Sequence, residues 1–334
     1  MHISDPIADQ HHLNINYQKR VLGLGLILMC MKGAAWVVTG SNAILSDALE
    51  SIVNIFAGAF ALFSLILAAR PKDLNHPYGH GKIEFLSATI EGSMIAIAGI
   101  FIVLKAIYNL FFPEAIHALN VGMALTIIAG IVNGAMGYAL LKRGEKVHSI
   151  TLISGGKHLL SDAWSTLGLI IGLALILFTD LVWIDNAVAI LFGGYILYTG
   201  IQILRKSIAG IMDEVDFEVL KPLMQQINEH RSERWIDLHN LRVIRYGSTL
   251  HIDCHMTLPW YLNVKEAHEE ADRIEKEVHH SGGMPLEWFV HIDPCHEGSC
   301  KICTIQKCTV RLHPFEHKIV WDASNLLQNR NHGA

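Results

Sequence analysis

The stretch Ser46-Asp47-Ala48-Leu49-Glu50-Ser51-Ile52-Val53-Asn54 sets two carboxylates and an amide inside an apolar run spanning about 42–69. At about 100° per residue, Asp47, Glu50 and Asn54 fall on one stripe of a helix. A second run, His158-Leu159-Leu160-Ser161-Asp162, places an imidazole and a carboxylate one turn apart in another apolar segment. Carboxylates in hydrocarbon are costly, so they face protein or water and mark an ion path. Carboxylate, amide oxygen and imidazole are together ligands for divalent metals. The two runs therefore point to a membrane protein that moves metal cations.

The rest of the chain fits a bilayer. Of its 334 residues 51% are hydrophobic and only 17% charged, against about 25% charged in soluble domains. The shortfall is confined to residues 17–206. Six segments there, near 18–39, 42–69, 83–111, 118–141, 149–179 and 183–205, approach or exceed the roughly 20 apolar residues a bilayer requires. Lys19, Arg20, Arg70, Lys72, Lys82, Lys142, Arg143, Lys146, Arg205 and Lys206 all fall on one side, while the opposite loops carry no Lys or Arg. The positive-inside rule then makes both termini cytoplasmic. The N-terminus carries charged and histidine residues without a small-residue cleavage site, so no processing is expected. A net charge of −5 without a basic stripe argues against a nucleic-acid partner. The expected division is an N-terminal cytoplasmic tail over 1–16, a six-helix transmembrane domain over 17–206, a cytoplasmic domain over 207–294 and a Cys/His-rich tail over 295–334.

Two registers are open on the second helix. Leu45-Ser46-Asp47-Ala48 repeats as Leu160-Ser161-Asp162-Ala163, which equates Asp47 with Asp162 but leaves Ala43 opposite His158. The alternative sets Glu50 and Asn54 opposite His158 and Asp162, giving one nitrogen and three oxygen donors, enough for a four-coordinate site. That register is preferred, with Asp47 as a supporting or entry carboxylate.

With these runs and the loop Asp73-Leu74-Asn75-His76-Pro77-Tyr78-Gly79-His80-Gly81-Lys82-Ile83-Glu84, the chain resembles the cation diffusion facilitator family, specifically its bacterial-type divalent metal cation/proton antiporters. The resemblance covers roughly residues 17–294. His158 and Asp162 meet the family pattern on the fifth helix; Glu50 and Asn54 depart from the Asp/His-then-Asp pattern on the second. The resemblance implies zinc, or a similar divalent transition metal, both as cargo and as a structural or regulatory ligand. Iron(II), cobalt, nickel, manganese and cadmium are alternatives. An oxygen-rich site moves preference toward manganese or iron(II), while His158 pulls back toward zinc, cobalt, nickel or iron(II). The resemblance also implies a homodimer in the inner (plasma) membrane, with protons as counter-ion and alternating access. An imidazole in the site lets a metal compete with a proton, and two facing carboxylates repel when the site is empty.

Asp73, His76 and His80 have metal-ligand spacing, and in similar proteins this loop carries a second site; the plain alternative is a polar turn set by Pro77 and Gly79. Lys82 matches the position that pairs with an Asp at the start of the cytoplasmic domain, here Asp213. The spacing of Val215, Val219, Leu223 and Ile227 predicts a helix over 214–230. Strands follow at 237–246 and 249–258, the latter alternating strictly from Leu250 to Leu258. A helix capped by Asn263 and a strand through Trp288–Asp293 complete the order αββαβ, a small ferredoxin-like α+β layer. His239, His255, His268, His291 and Asp293 match the family's cytoplasmic metal-binding positions.

Beyond them lie Cys295, His296, Cys300, Cys303 and Cys308, four thiols and an imidazole at a spacing that suits zinc or copper(I); a reducing cytosol keeps the thiols out of disulfides. A membrane metalloenzyme is disfavoured because the chain lacks His-Glu-x-x-His. A metal sensor without flux leaves the polar groups inside the membrane helices unexplained.

Overall fold

The computed structural model describes residues 6–39, 42–112, 121–179, 183–247, 249–278 and 284–333. The chain divides between Ile211 and Met212 into two compact units.

The first unit holds six long helices, α1 (Pro6–Thr39), α2 (Asn42–Ala68), α3 (Ile83–Phe111), α4 (Val121–Val147), α5 (Ile150–Thr179) and α6 (Trp183–Ile211). Among the described residues, α3 and the Asn186–Ile211 part of α6 are long and apolar enough to cross a membrane; α2 adds a shorter apolar stretch, Asn54–Ala68. The helices pair mainly as α3 with α6, α4 with α5 and α1 with α2. Where backbones meet, small residues are required. A Cβ at Gly200 on α6 would lie 2.5 Å from the Ala96 nitrogen of α3, and one at Gly156 on α5 would lie 2.6 Å from the Leu141 nitrogen of α4.

Helix α1 starts at Pro6, inside the stretch expected as an N-terminal tail. Its polar first half is accommodated because Asn14 accepts from Arg143 Nε at 3.0 Å and Gln18 donates to the Gly58 carbonyl at 3.1 Å.

The second unit runs α7 (Phe217–Glu229), β1 (Asp237–Tyr246), β2 (Thr249–Leu258), α8 (Val264–Val278) and β3 (Leu286–Pro294), followed by a 3₁₀ turn (Glu297–Lys301) and a short helix α9 (Ala323–Leu326). The αββαβ order forms a small mixed sheet in the order β1-β2-β3, with β1 antiparallel and β3 parallel to the central β2. The alternation of β2 buries Leu250, Ile252, Cys254, Met256 and Leu258, each 4% exposed or less. Helix α8 opens with a reciprocal cap in which Asn263 N–H donates to Glu266 and Glu266 N–H donates back to Asn263.

The segment set apart as a tail packs into the same core. Trp321 and Leu326 join Leu220, Ile227, Leu238 and Ile274 there. The Arg231 guanidinium lies 3.7 Å from the Trp321 ring centroid, and Arg231 also donates to the Ile319 and Ile236 carbonyls.

Candidate metal centres

Three of the four ligands expected in the membrane unit have described side chains, and they touch. Asn54 on α2 donates through Nδ2 to Asp162 Oδ2 at 3.0 Å. Its Oδ1 lies 3.0 Å from His158 Nε2. With the amide so turned, Nε2 carries the proton and donates. His158 is 9% exposed, and its Nδ1 is buried with no hydrogen-bond partner among the described residues. The four-residue spacing of His158 and Asp162 puts both on one face of α5, where one amide can bridge them. Asp47 and Glu50 lie on α2, but their side chains fall outside the described residues.

Asn54, His158 and Asp162 line a cavity of about 230 Å³. Two further ionisable residues line it as well. Lys32 on α1 donates to Ser51 at 3.1 Å, and Glu91 on α3, 3% exposed, accepts from the Ser154 hydroxyl of α5. Neither carries a local motif. Glu91 does stand seven residues after Glu84, on the same face of α3. Glu84 is itself buried and accepts from Ser149 and, at 3.4 Å, from the Thr151 N–H. Two acids at heptad spacing opposite a serine-rich helix are the signal that could have found them.

The loop after α2 brings Asp73, His76 and His80 together, their ligand atoms all within 4.8 Å. Asp73 Oδ1 caps the turn by accepting from the Asn75 and His76 N–H groups at 2.9 and 2.7 Å. Those backbone donors, above all that of His76, hold its carboxyl below the usual carboxylate range despite exposure. Gly79, at φ +92°, closes the turn. His80 Nε2 lies 3.4 Å from Asp73 Oδ2, and its Nδ1 is buried with no hydrogen-bond partner among the described residues.

In the second unit, strand register assembles a further group. His239 pairs across the sheet with His255, and His255 with His291. His239, His255 and Asp293 offer ligand atoms within 4.8 Å of one another. Asp293 sits 3.0 Å from His255 Nδ1, 3.6 Å from His239 Nε2 and 3.4 Å from His291 Nε2. A bulge after His239, with Asn240 at φ +52°, interrupts the ladder at the site. Burial pushes the His239 imidazole below its ordinary value, outweighing Asp237 and Asp293. A neutral imidazole is the form that binds metal. His268 stands on α8 with Asp272 at 3.6 Å, outside this three-residue group. The segment after β3 also reaches the site. His332 Nδ1 is 2.7 Å from Asp237, whose other oxygen is 3.6 Å from His239.

Residues 20–212 match the model of the cation efflux transmembrane domain, and residues 215–295 that of the cation efflux protein cytoplasmic domain. The chain belongs to the cation efflux family. An uncharacterized transporter of Synechocystis sp. is 33% identical over 77% of this chain and 83% of its own length. The cation-efflux pump FieF of Pectobacterium carotovorum is 28% identical over 76% and 84%, and the manganese efflux system protein MneS of Bacillus subtilis 26% identical over 81% and 92%. As a cation efflux protein, the chain is a membrane transporter of divalent metal cations rather than an enzyme. Its sheet-containing second unit is the cytoplasmic domain of the family.

Proposed function

We propose that this cation efflux protein exports a divalent transition metal, zinc first, in exchange for protons, through the cavity where Asn54 bridges His158 and Asp162. The bridge itself carries the reading. A proton on His158 Nε2 and a metal ion at the same nitrogen exclude each other, so loading one releases the other. Glu50 is the fourth ligand and Asp47 the supporting carboxylate. Glu91 and Lys32 are further ionisable groups lining the cavity. Iron(II), cobalt, nickel, cadmium and manganese compete for the site, the last favoured by its oxygen content and by a relative named for manganese.

In this reading α1–α6 all cross the inner membrane and both termini are cytoplasmic. Two copies form a homodimer through the cytoplasmic domain. The group around His239, His255, His291 and Asp293, with His268 as an added ligand, holds regulatory metal that biases the membrane helices. The Asp73, His76 and His80 loop holds a further ion. Metal uptake by proteoliposomes under an imposed pH gradient tests the antiport. Gradient-dependent flux that disappears in His158→Ala is the expected result. Metal binding without flux of any of the six metals would favour a membrane sensor instead.

A further inference from the structure

The cysteines beyond β3 have no part in the transport reading, yet they share one pocket. Cys295 leaves the end of β3, held by its N–H to the Leu258 carbonyl at 2.8 Å. Cys300 and Cys303 sit on and just after the 3₁₀ turn, and Cys308 lies on the loop beyond. All four line one pocket of about 180 Å³ beside Trp260 and Tyr261. None is in a disulfide. We propose that Cys295, Cys300, Cys303 and Cys308 form a tetrathiolate site for a divalent cation of the zinc class, separate from both the transport and the histidine–aspartate centres.

The surrounding backbone is organised as such a site requires. The Trp260 N–H points to Cys295 Sγ at 3.4 Å, and the Ile305 N–H donates to Cys303 two residues before it. Backbone donors to sulfur orient a thiolate and offset its charge, as partners outside the ligand shell do at metal sites. One side chain holds the loop. Arg311 donates to the Cys300 carbonyl at 2.7 Å, the Cys303 carbonyl at 2.9 Å and the Ile305 carbonyl at 2.8 Å. Cys303 is also buried against Ile236 and Ile302, which fixes one ligand to the start of β1. His296 is held through its backbone, its N–H donating to Ser299 Oγ at 3.2 Å and its carbonyl accepting from the Ser299 N–H at 3.0 Å. The proposed donor set is the four sulfurs.

Among the described residues, the groups whose ligand atoms already lie within 4.8 Å of one another are the two histidine–aspartate groups; a bound ion would have to draw the four sulfurs in to the zinc–sulfur distance of about 2.3 Å. Such a centre fastens the end of β3 to the loop that leads Trp321 and Leu326 into the core.

The test uses full-length protein in detergent, stripped of metal and reduced, titrated with Co²⁺. Thiolate-to-cobalt charge-transfer absorption saturating at one ion per chain is expected. It should vanish in the double variant Cys300→Ser/Cys303→Ser and persist in His158→Ala and His239→Gln, so failure of the transport reading leaves it untouched. Should the double variant not fold, alkylation of the unmodified chain serves. Zn²⁺ should slow maleimide labelling of the four cysteines at least tenfold and leave Cys30 unchanged. Absence of the charge-transfer band, equal labelling with and without Zn²⁺, or iron with acid-labile sulfide in the isolated protein would overturn the proposal.

Discussion

Asn54 holds two groups at once, so its replacements separate structure from selectivity. Asn54→Leu leaves the His158 Nε2–H and the Asp162 carboxylate without the amide that bridges them. Taking the acceptor from the buried His158 donor costs about 1–3 kcal/mol. Flux should be lost and the melting temperature lowered, as a transport assay and scanning fluorimetry would show together. Asn54→Asp keeps an acceptor for His158 but sets two carboxylates against each other, and a cation relieves that repulsion. A lower KM for every metal and a slower release are expected; an unchanged KM would remove Asn54 from the site. Glu91→Gln keeps the acceptor for Ser154 and removes only the ionisable carboxyl lining the cavity. About tenfold weaker apparent affinity, roughly 1.4 kcal/mol, should follow. The touching triad Asn54, His158 and Asp162 was legible because the helix period alone puts four-apart residues together. Glu91 and Lys32 were not, because each meets its partner on another helix and neither has an ionisable neighbour at that spacing.

Elements with a local rule were read closely, and those with a remote partner were not. Leu250 to Leu258 alternate because one face of β2 is core, a property of nine consecutive residues. The α4–α5 and α3–α6 pairings depend instead on glycines whose partners are distant in sequence. Gly200→Val forces α6 off Ala96, where even a Cβ has no room, and overpacking of this kind costs about 1–3 kcal/mol. Gly194, six residues earlier on the same helix, has nothing within 4 Å of an added Cβ. Gly194→Ala should therefore melt like the unmodified protein while Gly200→Val unfolds early or fails to accumulate. Equal melting of the two would show that the helices can part without cost.

At the scale of the whole molecule, the segment after β3 belongs to the cytoplasmic core, and no local period announces that. Trp321 is 2% exposed, with its backbone N–H donating to Asn228 and its ring under Arg231. Trp321→Ala should cost about 3–5 kcal/mol, read as early unfolding of the soluble unit. The same return sets His332 on Asp237 and thereby next to His239, so tail packing and the histidine–aspartate site share one buried carboxylate. This coupling has a pH signature. His239 titrates below its ordinary value in the folded state because burial penalises the imidazolium, whereas in the unfolded chain it titrates near about 6.5. Protons then bind the unfolded state more strongly, so stability is full above that pH and is lost as pH falls below it, down to the folded value. His239→Gln removes that contribution and should flatten the decline in melting temperature of chelator-treated protein between neutral and mildly acid pH. Added Zn²⁺ requires the neutral imidazole and should steepen the decline in the unmodified protein more than in the variant. If both proteins lose stability equally on acidification, His239 is not held neutral by the fold, and the charge state that prepares this site for metal must be set elsewhere.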